Sequence, residues 1–156
     1  MFQLSRDEIY ELAEDLERNG VRFYTQAAAR VGEEGLARLL TELARMEEGH
    51  YRRLHALRTP EATEKADGES ELSLYLQAMA DLRVFPVDAR MLALFLAQAT
   101  PVDILEYALT CEKETIIVFL TLKELLPAPQ GDFDGLIREE LEHIRLLRYE
   151  LGRLVC

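Results

Sequence analysis

The chain has 156 residues, with 18 Lys and Arg against 29 Asp and Glu, for a formal charge of −11. That balance argues against a nucleic-acid partner, because phosphate binding demands a surplus of cationic side chains. With 49% hydrophobic and 30% charged residues and only eight glycines and five prolines, the expectation is one all-α domain over 1–156 with a sizeable core.

The opening MFQLSRDEIY has no basic region ahead of a hydrophobic stretch, and no apolar run approaches the length of a membrane span. The expectation is a cytoplasmic chain with no membrane partner. Ser5 with Glu8 forms a capping box and Leu4 with Ile9 sits at staple positions, so a first helix is expected from Arg6 to about Arg30. Its apolar stripe runs through Ile9, Leu12, Ala13, Leu16, Gly20, Phe23, Tyr24 and Ala27, and Glu17 falls inside that stripe. A carboxylate there must be neutralised, paired or bound to a cation, because burying it alone costs several kcal/mol.

Gly32, Glu33 and Glu34 open a second helix that carries Leu36, Leu39, Leu40, Leu43, Met46, Leu54 and Leu57 and stops before Pro60. Residues 59–71, TPEATEKADGESE, read as an exposed linker, and two short helices are expected at about 72–82 and 88–98. The whole of 59–100 then serves as the long crossover of a four-helix bundle. Thr100, Pro101 and Asp103 cap a third long helix, expected over 101–126 and halted by Pro127 and Pro129. Asp134 is the expected cap of a fourth, which continues nearly to the C-terminus.

Each long helix carries part of one pattern. A lone glutamate is followed about thirty residues later by Glu-x-x-His, first as Glu17 with Glu47 and His50, then as Glu112 with Glu140 and His143. Residues three apart on a helix lie on one face, so each Glu/His pair can reach one buried point. Four carboxylates and two imidazoles suit iron or manganese, and carboxylates can bridge two cations that would otherwise repel each other. The neighbourhoods repeat as well. A shift of 95 superimposes Ile9, Ala13 and Glu17 on Ile104, Ala108 and Glu112, and a shift of 93 superimposes Leu43, Arg45, Glu47 and His50 on Leu136, Arg138, Glu140 and His143. A duplicated helix pair is a stronger signal than either short spacing alone.

The runs LERNGVRFYTQAA, LARMEEGHYRRL, ALTCEKETIIVFL and IREELEHIRLL resemble the four ligand helices of rubrerythrin-type members of the ferritin-like superfamily. The resemblance implies a ferritin-like four-helix bundle with short extra helices in the crossover between helices 2 and 3. It implies two iron ions, with manganese or zinc as alternatives, held by Glu17, Glu47, His50, Glu112, Glu140 and His143, with Glu47 and Glu140 bridging. Tyr24 matches a tyrosine that lies near the metals in that family and is the candidate catalytic side chain; Phe119, its counterpart in the repeat, lacks the hydroxyl.

Two departures narrow this. Rubrerythrins carry a further glutamate one turn after the third ligand helix's glutamate, where this chain has Thr115. They commonly carry a cysteine-ligated iron centre as well, and here Cys111 and Cys156 stand alone, so the reductant must be a separate electron-donor protein or a small molecule. The resulting expectation is an oxidoreductase acting on peroxide or dioxygen, in a homodimer or larger homo-oligomer. The alternatives are a ferroxidase or iron-storage protein within a hollow assembly, and a metal-binding bundle without turnover.

Other residues carry simpler expectations. Gly20 and Thr115 are equivalent in the repeat and serve either close helix packing or access of dioxygen or peroxide. His55 faces away from His50, Glu48, Glu139 and Glu142 are solvated or paired with arginines, Tyr10 is a core residue or a hydrogen-bonding neighbour of Glu17, and Cys111 is core.

Overall fold

The computed structural model describes residues 6–58, 88–126 and 131–155. They form α1 (Arg6–Ala28), α2 (Glu34–Leu57), α3 (Ala89–Gln98), α4 (Pro101–Leu125) and α5 (Gly131–Val155), with no strand among the described residues. The cap at Ser5 with its Leu4 staple, the linker 59–71, the short helix at 72–82 and Cys156 lie outside the described residues.

α1 and α2 are joined by five residues, 29–33, and so short a link forces antiparallel neighbours. The turn is closed by Val31 N–H donating to the Ala27 carbonyl at 3.2 Å. Glu33 then caps α2, its carboxylate accepting from Gly35 N–H at 2.9 Å and Leu36 N–H at 2.7 Å. A carboxylate is favoured there because the first-turn amides have no helical partner and the helix dipole is positive at that end. Those contacts hold the Glu33 carboxyl below its ordinary range.

The cap of α4 forms as its sequence implies. Asp103 N–H donates to the Thr100 hydroxyl at 3.2 Å, and Thr100 N–H donates to the Asp103 carboxylate at 2.8 Å, with Pro101 in the first turn. The start of α5 differs from expectation. It begins at Gly131, three residues ahead of the predicted cap, so Asp134 lies within the first turn. Its carboxylate instead accepts from Lys123 Nζ at 2.6 Å, tying α5 to the end of α4.

α1 packs chiefly on α2 and α4 chiefly on α5, with weaker contacts joining the two pairs. The core between them holds Leu36, Leu40, Phe23, Ile104, Phe119, Phe133 and Leu147, all at 2% exposure or less, and each such side chain contributes about 1.5–3 kcal/mol. Tyr10 is a core residue: it is buried and stacks on Phe133 with centroids 5.9 Å apart. Cys111 is equally buried, and burial followed by the charge of Glu112 pushes its thiol far up, out of the nucleophilic range.

Candidate metal centre

Six titratable side chains lie where an apolar core would be expected. Glu17 from α1, Glu47 and His50 from α2, Glu112 from α4, and Glu140 and His143 from α5 are each exposed by 1% or less. The structure brings together all six residues singled out in the sequence. Helical spacing turns each Glu and His inward, and the antiparallel pairs set the two half-sites face to face. The imidazoles of His50 and His143 are nearly parallel, 10° apart in plane, with centroids separated by 5.3 Å.

Nδ1 of each ring faces the carboxylates. That of His50 is 3.1 Å from Glu17 and 2.8 Å from Glu140, and that of His143 is 3.0 Å from Glu47, 2.8 Å from Glu140 and 3.4 Å from Glu112. Donor atoms gather in two groups, Glu17, Glu47, His50 and Glu140, and Glu47, Glu112, Glu140 and His143, each with its atoms within 4.8 Å of one another. Glu47 and Glu140 are common to both groups. The others belong to one each.

The electrostatics show how much charge is crowded here. Burial, followed by the charge of a neighbouring glutamate, pushes the carboxyls of Glu17, Glu47 and Glu112 well above their ordinary range. Burial acts the same way on Glu140, but the two imidazoles beside it outweigh that and hold it well below. For the histidines burial disfavours charge, yet the surrounding carboxylates raise both, His143 far more than His50. Without a metal, Glu140 is thus the one carboxyl of the four in the cluster that is shifted toward ionisation, while both imidazoles are shifted toward their charged form.

Hydrogen bonding does not satisfy it even so. Oε1 of Glu17, Oε1 of Glu47, Oε2 of Glu112, both oxygens of Glu140 and both nitrogens of His143 are buried without a hydrogen-bond partner among the described residues, although several lie within 3 Å of another polar atom. Buried polar atoms that converge without aligning on each other fit a cation between them better than they fit each other. An oxygen-rich donor set with one imidazole per group suits divalent iron, manganese or zinc.

Tyr24 also reaches the cluster, its hydroxyl donating to Oε1 of Glu112. Burial, then the charges of Glu112 and Glu47, push its phenol well up, so it stays protonated and remains a donor. Phe119 is buried at the edge of Phe133 and offers no equivalent contact.

Of the two roles expected for Gly20, the structure favours close packing between α1 and α2. A Cβ built there would meet Oε2 of Glu47 at 2.6 Å and its Cδ at 3.0 Å. The space beside Gly20 is therefore filled by the carboxylate of Glu47 and is not open for a small molecule. Thr115, its counterpart, is buried, and its Oγ1 has no hydrogen-bond partner among the described residues.

One residue near the site goes beyond its sequence reading. Glu139 pairs with an arginine, as expected, accepting from both terminal nitrogens of Arg53 at 2.8 and 3.0 Å. Its Oε2 also lies 2.9 Å from Nε2 of His50, the nitrogen turned away from the cluster. The signal lay in the repeat, since the position before each Glu-x-x-His glutamate is Met46 in one half and Glu139 in the other. Glu48 and Glu142 pair locally with Arg52 and Arg145. His55 is exposed, with Nδ1 3.2 Å from Glu14.

A rubrerythrin family model matches residues 3–58, which include Glu17, Glu47 and His50. A solved structure from Thermotoga maritima, described as that of a ferritin-like diiron-carboxylate protein, superimposes with a TM-score of 0.68 at 23% identity, covering 100% of this chain and 99% of the other. The chain has a ferritin-like fold, and over residues 3–58 it is similar to the rubrerythrins. No curated protein matches it by sequence. The second pair of helices lies beyond the family match and still supplies the same residue types to the same cluster. No described helix is long and apolar enough to cross a membrane.

Proposed function

We propose that this chain binds two metal ions, iron by preference, and acts as an oxidoreductase on peroxide or dioxygen with electrons from a separate donor protein. The observation that carries the reading is that Glu47 and Glu140 belong to both donor groups while Glu17, His50, Glu112 and His143 divide between them. Two cations a few ångströms apart repel strongly, and anionic groups shared between them are what makes such a pair bearable. The similarity to a protein described as diiron-carboxylate supports iron for this chain too.

Glu47 and Glu140 would be shared between the two ions, Glu17 with His50 would hold one, and Glu112 with His143 would hold the other. Bound iron would supply reversible one-electron chemistry at each position. The protein's own share is to hold six donors rigid in a site closed to bulk water, so that little reorganisation accompanies a change of charge. Tyr24, protonated and fixed on Glu112, has a proton to deliver at the edge of the site.

The test compares metal content of the native protein with that of a Glu47→Ala, Glu140→Ala double variant after anaerobic loading with Fe(II). About two ions per chain in the first and almost none in the second is the expected result; equal contents would sink the dinuclear site. Peroxide added to the reduced, loaded protein should then be consumed in proportion to bound iron. Binding without consumption would leave a metal-binding bundle.

A further inference from the structure

The two histidines are equivalent in the repeat but not in their surroundings. Both turn Nδ1 to the carboxylates, so each must carry its proton on Nε2 when Nδ1 serves a cation. Nε2 of His50 lies 2.9 Å from Glu139 Oε2, and Glu139 is itself gripped by both terminal nitrogens of Arg53. Nε2 of His143 is buried and has no hydrogen-bond partner among the described residues. An acceptor behind an imidazole fixes its tautomer and ring angle and makes the facing nitrogen a better donor to a metal. A buried N–H without an acceptor does the reverse, because turning it toward the protein interior leaves a donor unsatisfied.

The other private ligands differ in the same sense. Glu112 accepts the Tyr24 hydroxyl, which occupies one of its lone pairs; among the described hydrogen bonds to Glu17, the contact is with His50 inside the same donor group. We propose that Glu139, clamped by Arg53, is a positioning residue that makes the cation position at Glu17 and His50 the tighter of the two, so that the centre loads in order. The inference rests on the dinuclear reading above and adds an inequality that the symmetric ligand list does not contain.

Glu139 has a side chain 42% exposed and Arg53 one 49% exposed, so either can be truncated without opening the core. The experiment is anaerobic titration of the metal-free protein with Co(II), followed by its visible absorption against a competing chelator. The native protein should fill in two steps, the first about tenfold or more tighter. Glu139→Ala should weaken the first step by about 10–100-fold and leave the second alone, so that the two merge. Glu139→Gln, which keeps a neutral acceptor, should fall between, and Arg53→Ala should cost the first step no more than about fivefold.

A second readout separates positioning from a mere bridge between α2 and α5. In the cobalt protein the ligand imidazole N–H protons are shifted clear of the bulk proton spectrum, and Glu139→Ala should speed solvent exchange of one and spare the other. Indistinguishable steps in the native protein, equal weakening of both steps in Glu139→Ala, or no change would overturn the inference while leaving the dinuclear site standing. Failure of the native protein to take up Co(II) at all would overturn the site itself.

Discussion

The α1/α2 half of the centre and the α4/α5 half supply the same ligands, and their departures from the repeat are crossed. The first half has Tyr24 where the second has Phe119, and the hydroxyl of Tyr24 serves Glu112 of the second half. The second half has Glu139 where the first has Met46, and Glu139 serves His50 of the first half. Each half thus carries a residue that tunes its opposite, which is possible only because the two pairs meet at the ligands. Duplication accounts for a symmetric cage, and substitution at non-ligand positions then makes its two positions different.

The largest expected effect separates shared from private ligands. Removing either shared carboxylate, Glu47→Ala or Glu140→Ala, should empty both positions, whereas Glu17→Ala or Glu112→Ala should each lose about one equivalent. Metal content per chain after gel filtration decides this, and equal losses in all four would break the division into shared and private donors.

Next in size is the contrast at Gly20 and Thr115. Gly20→Ala gains about 1 kcal/mol of helix propensity but sets a Cβ 2.6 Å from the present position of Glu47 Oε2, so metal affinity should fall by at least tenfold even if the fold holds. Thr115→Ala removes a buried hydroxyl without a partner among the described residues, and the metal-free protein should be unchanged or more stable by about 1 kcal/mol. Urea unfolding and a chelator competition, run on both variants, read the two effects separately.

The metal-free protein should also lose stability as pH rises. Glu17, Glu47 and Glu112 hold their protons to higher pH when folded than when unfolded, and so do His50 and His143. From the ordinary carboxyl range upward the folded state therefore binds the more protons, and each excess proton lowers stability by about 1.4 kcal/mol per pH unit. Glu140 is depressed and acts the other way, but its contribution is complete above the ordinary carboxyl range and is lost only on acidification. Metal loading should flatten the neutral part of this profile and release protons, which a weakly buffered titration would register. A metal-free protein whose unfolding midpoint rises between pH 5.5 and 8 would contradict the charge assignment.

The smallest effect is Tyr24→Phe, which makes the two halves alike at that position. It should cost about 1 kcal/mol in the metal-free protein, from one lost hydrogen bond to Glu112. Peroxide consumption by the loaded protein should slow, with metal content unchanged; a loss of metal instead would make Tyr24 a structural prop.

Much of this was legible in the chain because it depends on local periodicity. The 3.6-residue turn sets Glu47 and His50, and likewise Glu140 and His143, on one face of their helices, and the cap at Thr100 to Asp103 closes within four residues. The features read wrongly or only in part depend on what lies across the gap. Asp134 has the chemistry of a cap, yet it pairs with Lys123 because α5 begins earlier and returns along α4. Gly20 reads as a small residue beside the metals, and only the rotamer of Glu47 on α2 shows what fills its space. Glu139 reads as solvated or paired with an arginine, and only the docking of α2 on α5 brings it to His50 as well.

By itself, then, the sequence determined the helices, the buried stripes and the six side chains that must converge, since all of these follow from spacing along one chain. Tertiary structure alone decided which carboxylates are shared, which imidazole is supported from behind and which is not. Those relations arise between helices, where a contact is fixed by how two faces dock and has no counterpart in the order of residues along either one.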